Sequence, residues 1–334
     1  MNWQSTQRVL YRNAAIYAVV GSNATAMMVE GDRIAWIGDD AEIPAHHGNA
    51  DVVLDMHGAL VTPAFVDAHA SVLDTPSSDA VAAARAQAAA LGIVAIQDFS
   101  AAAAAGVGVS ILEQPGTLIY PFRSNADHAA FGVHSTLAQS RQWLEVIEAG
   151  LPLAIEFDPA DDDDAVRAAL ASVVERIGLD RVRRAVIRAE AAAGFSDGLL
   201  TTFHQHEIAV VVQAHGVRPF SSTSPGSSGL AFGSFADALA DPWATVQAAV
   251  SRRPGTAPMT LLDAFAATTR AGWAALGRPT VGQLASGRAA HFAVWDASAV
   301  ANGLPGLETG KALPTCLRTV IAGTVVFDNG ALLS

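Results

Sequence analysis

The sequence predicts an α/β fold in which a parallel sheet or barrel lies between two β-rich chain ends. In the middle of the chain, about residues 63–280, apolar strand-like runs alternate with alanine-rich helical runs, a pattern typical of parallel α/β sheets and barrels. Short β-rich runs separated by turns occupy residues 8–62 and return after residue 281. We therefore predict two units: a small β-sandwich built from residues 1–62 and 281–334, and an α/β unit of residues 63–280.

The two β-rich ends contain similar hairpin patterns. Gly31-Asp32 separates two strand-like runs within residues 29–38, as expected for a hairpin turn. Near the other end, residues 281–296 have the pattern of strand, turn and strand, and residues 318–328 that of a second hairpin. We expect the two ends to combine in one sandwich.

The middle of the chain contains seven strand candidates, one fewer than a closed barrel of eight strands requires. The candidates are residues 60–66, 93–98, 117–122, 153–157, 185–189, 208–213 and 230–233.

Composition and charge exclude several classes of partner. The net charge of −12 disfavours nucleic acid and anionic membranes. The N-terminus lacks a signal pattern, and no unbroken apolar run is long enough to span a bilayer. Cys316 is the only cysteine, so no disulfide forms within the chain, and we expect a reducing compartment, the cytoplasm.

The first strand candidate ends in polar side chains, Asp67-Ala68-His69-Ala70-Ser71. Side chains two residues apart on a strand share one face. Asp67, His69 and Ser71 are therefore expected to point together at the carboxyl end of the strand, where barrel enzymes place their chemistry.

Five segments in a fixed order carry a family resemblance: residues 29–38, 62–69, 91–98, 230–234 with 241–243, and 282–296. Together they make the chain similar to the amidohydrolase superfamily, and within it to the large-amidase branch that includes N-substituted formamide deformylases. The resemblance implies a (β/α)8 TIM-type barrel, here lacking or distorting one strand. It also implies a hydrolase of C–N bonds other than peptide bonds. In that family zinc or another divalent ion activates water, and an aspartate of the eighth strand moves the proton.

The family's metal ligands match this chain poorly. The first histidine of the strand-one motif falls on His69, but the second falls on Ser71. The histidines of the fifth and sixth strands fall on Glu156 and near Arg188, and the strand-eight aspartate falls on Phe235.

We therefore expect a degenerate metal site with no bound cofactor, as in a pseudoenzyme. A hydrolytic zinc needs about three N or O ligands and an open position, whereas only His69 and Glu156 remain as donors. Arg188 brings a permanent positive charge that repels a cation. The segment between residues 122 and 153, where the family carries a bridging lysine, is shortened or deleted and contains no lysine.

The surviving residues leave alternatives open. His69 is either a former ligand or base, or a histidine that is hydrogen-bonded inside the barrel mouth. Glu156 and Arg188 either form a charge-assisted pair that replaces the ion, or bind a polar ligand. Further residues near strand ends are candidates to line a ligand site: Asp67, Ser71, Asp98, His215 and Phe235.

Other polar clusters are weaker candidates. His128 and His134 follow the third strand candidate and could reach the mouth. His204 and His206 have metal-like spacing, but residues two apart on a helix face different directions. The acidic run at residues 161–164 is expected to cap the helix that follows it.

Three hypotheses for function follow. The first is a non-catalytic relative that binds a small molecule or supports a partner subunit, as a homo-oligomer or with an intact paralogue. The second is a metal-free hydrolase that uses His69, Glu156 or Asp67 for proton transfer. In that hypothesis Arg188 stabilises the oxyanion. The third is a hydrolase in which one metal ion survives.

Overall fold

The computed structural model describes residues 7–18, 23–43, 50–73, 77–100, 116–123, 131–214, 229–251, 258–297, 300–301, 303–308 and 310–333. Within these residues the chain forms an eight-stranded parallel barrel that is nearly closed, together with sheets built from the chain ends. The TIM-type barrel and the β-sandwich predicted from the sequence are confirmed. The unit boundaries at residues 62 and 281 stay predictions.

In the described part of the chain, seven strands precede the barrel: β1 (Arg8–Arg12), β2 (Ala15–Tyr17), β3 (Asn23–Ala24), β4 (Ala26–Glu30), β5 (Arg33–Gly38), β6 (Val52–Asp55) and β7 (Leu60–Pro63). Strands β4 and β5 form the predicted hairpin, and a four-stranded sheet has the order β5-β4-β1-β6.

The barrel strands run parallel and pair in chain order: β8 (Phe65–Ala70), β9 (Ile93–Asp98), β10 (Leu118–Arg123), β11 (Gly132–Thr136), β12 (Leu153–Glu156), β13 (Ile187–Ala191), β14 (Ala209–Val212) and β15 (Leu230–Phe232). The described α-helices are α1 (Ser78–Ala90), α2 (Ser140–Glu148), α3 (Asp163–Ile177), α4 (Leu179–Arg184), α5 (Asp197–Gln205), α6 (Pro242–Val250), α7 (Leu261–Ala267) and α8 (Arg270–Ala274).

Five strands follow the barrel: β16 (Phe292–Asp296), β17 (Val300–Ala301), β18 (Leu304–Pro305), β19 (Thr315–Ile321) and β20 (Thr324–Asp328). A six-stranded sheet with the order β20-β19-β16-β7-β2-β3 joins both chain ends. Strands β19 and β20 form the predicted second hairpin. The strand expected before β16 is absent from the described residues 281–291, where one bridge pairs Ala289 with Arg33.

Strand β11 supplies the eighth barrel strand, which the sequence analysis missed. The strand between residues 122 and 153 is not deleted, because β11 pairs with β10 at Phe122–Gly132 and with β12 at Val133–Leu153. The strand reads Gly-Val-His-Ser-Thr, so Val133 is its only large apolar residue. Its neighbours in the barrel therefore define this strand more than its own β-propensity does.

Aromatic side chains fix the sandwich onto the barrel. Phe65 of β8 packs edge-on against Trp243 of α6, Phe265 of α7 and Trp295 of β16, with centroid distances of 5.0–5.5 Å. Trp295 also donates from Nε1 to the Thr62 hydroxyl at 2.9 Å. Buried aromatic side chains contribute large apolar areas, so this cluster fixes the start of β8 and hence the position of His69 further along it.

Helix starts follow the capping signals in the sequence. Asp162 in the acidic run accepts a hydrogen bond from Asp164 N and caps α3, as predicted. Asp241 accepts from Trp243 N and Ala244 N at the start of α6, which satisfies amides that a helix otherwise leaves free.

Backbone hydrogen bonds beyond the strand ends close the seam between β8 and β15. Phe235 N donates to His69 O at 2.9 Å, and Ser71 N donates to Ala236 O at 3.0 Å. Gly233 permits this approach, because a Cβ there would lie 2.6 Å from His69 Cβ and 2.7 Å from His69 N. None of the described helices is both long enough and apolar enough to cross a membrane.

Replacing Gly233 with alanine is expected to destabilise the protein by about 1–3 kcal/mol, because the added methyl group collides with the backbone of β8. Gly229→Ala is the matched control, since a Cβ at Gly229 meets nothing within 4 Å. Urea unfolding measures both free energies. Equal stability of the two variants would contradict the close approach at the seam.

Candidate functional site at the barrel mouth

Residues from several strands and their following loops meet at the carboxyl ends of the barrel strands, where (β/α)8 enzymes place their active sites. His69 lies near the carboxyl end of β8, and Phe99 directly follows β9. Glu156 ends β12, while Arg188 and Glu190 lie on β13.

His69 is enclosed between two aromatic rings. Its imidazole lies parallel to Phe99, with the ring centroids 4.1 Å apart, and parallel to Phe235 at the same distance. Its Nδ1 lies 2.9 Å from Oε2 of Glu190, and the side chain is 8% exposed. His69 is therefore a hydrogen-bonded histidine of the mouth, as one of the two interpretations expected.

Glu190 is shared between His69 and Arg188. Arg188 Nη2 lies 2.5 Å from Glu190 Oε1. Burial alone would raise the pKa of Glu190, but the charge of Arg188 and the charge and hydrogen bond of His69 outweigh it and lower this pKa. The carboxylate is therefore ionised at neutral pH although it is fully buried.

Arg188 lies beneath the aromatic rings. Its guanidinium carbon is 4.4 Å from the centroid of Phe122 and 5.0 Å from that of Phe99, within the range of cation–π attraction. Its Nη2 also donates to Ala68 O at 3.1 Å. The side chain is 1% exposed, so Arg188 does not face the mouth as an oxyanion stabiliser would.

Glu156 pairs with His134 instead of Arg188. His134 Nε2 and Glu156 Oε2 are 2.9 Å apart, and this hydrogen bond lowers the pKa of Glu156. Glu156 and Arg188 therefore do not pair with each other, as one interpretation expected. Glu156 pairs with His134, and Arg188 pairs with Glu190 on its own strand.

A bulge in β8 separates Asp67 from His69. The register between β8 and β9 shifts between Asp67 and Ala70, which adds a residue and changes the face that follows. Asp67 lines a small cavity beside α6 with Phe65 and Ser234. The expectation that Asp67, His69 and Ser71 point the same way is therefore wrong.

Both aspartates near the mouth serve local hydrogen bonds. Asp67 accepts from His69 N and Ser234 N, and Asp98 accepts from Val72 N and from the Ser100 hydroxyl. Burial raises the pKa of each carboxyl.

The remaining candidates are scattered. Ser71 contributes its backbone to the seam, and His206 hydrogen-bonds Thr202 O within its own helix turn. His215 and His128 lie outside the described residues.

The sequence analysis did not single out Glu190 or Phe99. A usable signal for Glu190 was present, because residues two apart on a strand share a face and Glu190 follows Arg188 at that spacing. Phe99 comes one residue after the end of β9, where no pattern in the sequence marks it.

Among the residues of the mouth that the structure describes, the donors are fewer than a catalytic divalent cation requires. Among the described residues, no group of three or more His, Cys, Asp or Glu side chains is arranged to hold a metal ion. The buried Arg188 adds a positive charge, and a catalytic metal needs about three ligands plus an open position.

Sequence comparison relates the chain to one family of hydrolases. The sequence model of the amidohydrolase family matches residues 145–327. Imidazolonepropionase from Cutibacterium acnes is 52% identical over 44 residues, which are 13% of this chain and 10% of that enzyme. That match spans only a small part of the enzyme.

Solved structures share the whole fold. N-isopropylammelide isopropylaminohydrolase from Burkholderia multivorans superposes with a TM-score of 0.70 and 15% identity, covering 97% of this chain and 99% of that chain. Atrazine chlorohydrolase from Arthrobacter aurescens, solved with zinc, gives a TM-score of 0.64, 13% identity and coverages of 96% and 95%. At these identities the likeness concerns the fold.

Replacing Glu190 with glutamine is expected to destabilise the protein at neutral pH by about 3–5 kcal/mol, because it leaves the buried Arg188 charge without its counter-ion. The folded pKa of Glu190 lies below its ordinary value of 4.5. The pair's contribution is therefore present above that pH and is lost as the pH falls through the folded pKa. Urea unfolding over a pH series should show the difference between variant and wild type shrinking below pH 4.5.

Glu156→Gln is the control for this change, because its carboxylate is 45% exposed and an exposed pair contributes only about 0–1 kcal/mol. Similar costs at Glu190 and Glu156 would contradict the assignment of Glu190 as the buried counter-ion.

Phe235 has a left-handed backbone, with φ of 49°, a conformation that costs a bulky residue about 1–2 kcal/mol. Phe235→Gly and Phe235→Ala both lose the stacking on His69, but only alanine retains the strain. We expect the glycine variant to be more stable than the alanine variant by about 1 kcal/mol in urea unfolding. An alanine variant of equal or higher stability would show that the backbone at this position is unstrained.

Proposed function

The chain belongs to the amidohydrolase family, and we propose that it is a non-catalytic member in which its own side chains take the place of the metal centre. The barrel mouth then binds a small molecule or supports a partner subunit, either a second copy or an intact paralogue. The proposed location is the cytoplasm, in keeping with Cys316, which is buried and free.

The observation that carries this proposal is the Arg188–Glu190 pair beneath the rings of Phe99 and Phe122. Arginine remains charged in proteins, so the guanidinium keeps a fixed positive charge at the strand-six ligand position. A divalent cation beside it would be repelled, and the Glu190 carboxylate that would attract the cation is already paired with Arg188.

Phe235 supports the same conclusion. It stands at the position of the strand-eight aspartate that moves the proton in the family's reaction, and its ring covers one face of His69. A phenyl ring cannot accept a proton. Position 235 therefore cannot supply the base that a metal-bound water requires in the family's reaction.

A one-metal hydrolase is the second candidate, and one observation favours it. A carboxylate on one ring nitrogen of a histidine is common behind metal ligands, and Glu190 holds Nδ1 of His69 in this way. His69 Nε2 is then the nitrogen that would face the ion. This candidate needs at least two more ligands, which the described residues do not bring together.

Metal analysis of the purified protein separates the two candidates. After expression with added zinc, we expect less than about 0.1 metal ion per chain, because a site without three donors does not retain zinc through purification. The zinc-bound atrazine chlorohydrolase, purified in the same way, is the positive control.

Near-stoichiometric zinc that is lost in His69→Ala would overturn the proposal in favour of the one-metal hydrolase. Turnover of simple amides by metal-free protein, abolished in Glu156→Ala, would instead establish a metal-free enzyme.

A further inference from the structure

A small cavity lies on the outer side of the barrel wall, between the seam of β8 and β15 and the start of α6. Its volume is about 20 Å³, which is room for one particle of the size of a water molecule. Apolar side chains form much of its lining, among them Phe65, Ile93 and Phe232. Ala240 borders the cavity and is exposed, so a dissolved ion can enter from the loop that follows β15.

Asp67 is the one ionisable residue in this lining. It is two residues beyond Phe65 on β8 and shares with it the face towards α6. Asp67 is only 8% exposed. Its Oδ1 accepts hydrogen bonds from the amides of His69 and Ser234, which leaves Oδ2 without a backbone donor among the described residues.

No permanent cation lies beside this carboxylate in the described part of the chain. The titratable group that acts on Asp67 is His69, and no arginine or lysine is among the groups that do so. Burial raises the pKa of Asp67, as expected where no cation compensates the loss of water. A buried carboxylate without a counter-ion is costly, so a cation that enters the cavity gains a strong partner.

The other polar side chains of the lining also present acceptors. Ser234, Thr245 and Thr268 each donate their hydroxyl hydrogen to a backbone carbonyl, at 3.2, 3.4 and 2.9 Å. The Ser234 hydroxyl also acts on the Asp67 carboxylate. Hydroxyl oxygens whose hydrogen is already donated retain lone pairs. These side chains together favour a ligand that brings positive charge.

The start of α6 does not supply the amide donors that an anion would need. Pro242 lines the cavity and has no amide hydrogen. The next two amides, of Trp243 and Ala244, donate to the carboxylate of Asp241. The positive end of this helix is therefore capped within its own first turn.

We propose that the cavity at Asp67 is a binding site for a monovalent cation of about the size of a water molecule, potassium or ammonium. A cavity for one such particle has no room for the water shell that magnesium keeps, and calcium takes about six to eight oxygen ligands. Through Asp67 the ion fixes the amides of His69 and Ser234, and hence the seam of the barrel. The cavity lies outside the mouth, so this inference is independent of the proposed function.

Melting curves of the full chain in three chloride salts test the site. The salts are those of potassium, ammonium and tetramethylammonium, each at about 100 mM, so that the ionic strength is the same. We expect the melting temperature to be about 2 °C or more higher in potassium or ammonium than in tetramethylammonium, which is too large for the cavity. Asp67→Asn keeps the shape but removes the charge, and should abolish this difference.

Asp98→Asn is the matched control. Asp98 is a second buried carboxyl whose pKa burial raises, but it is not part of the cavity lining. This variant should retain the dependence on the cation. Crystals grown in rubidium chloride give a measurement that needs no variant, because rubidium replaces potassium and scatters anomalously. We expect an anomalous peak beside Asp67.

Equal melting temperatures in the three salts would overturn the inference, as would a difference that persists in Asp67→Asn. The absence of a rubidium peak in crystals that show the Asp67 carboxylate clearly would also overturn it. If Asp67→Asn does not fold, the rubidium crystals decide.

Discussion

The arrangement of the barrel mouth depends on the carboxylate of Glu190. It is fully buried and meets both Arg188 and His69, so each of its oxygens faces a partner. A buried ion pair contributes little net stability compared with apolar residues of the same size, but the loss of one partner is costly. Glu190 is therefore best understood as a positioning group. It fixes the guanidinium beneath Phe122 and fixes the imidazole plane on which Phe99 and Phe235 stack.

The backbone around β8 makes this arrangement possible. The bulge between Asp67 and Ala70 directs the His69 side chain to the ring stack instead of leaving it beside Asp67. Gly233 has no Cβ, and this allows the backbone after β15 to lie close to His69. Phe235 takes a left-handed conformation. In this conformation its amide donates a hydrogen bond to His69 O, and its ring stacks on the imidazole. Strain at one bulky residue is thus retained where several contacts determine its position.

Most of the fold could be predicted because it depends on local patterns, and most of the site could not because it depends on partners distant in sequence. Strand β9 was predicted with its observed bounds, Ile93–Asp98, since its first four residues form an apolar run. Strand β11 was missed because its sequence is polar and its neighbours define it. Glu156 ends β12, but its partner His134 lies 22 residues away on an adjacent strand. The β8 bulge, which separates Asp67 from His69, has no signature in the sequence.

The two charged pairs of the mouth differ in how far solvent reaches them. Arg188 supplies a permanent positive charge, but it lies under the rings and its charge is neutralised by Glu190, so it cannot polarise a substrate. Glu156 remains 45% exposed and is paired with His134. Under the proposed function, the positive charge that a metal ion would bring to the strand ends is held instead by Arg188, below the rings and already matched by Glu190.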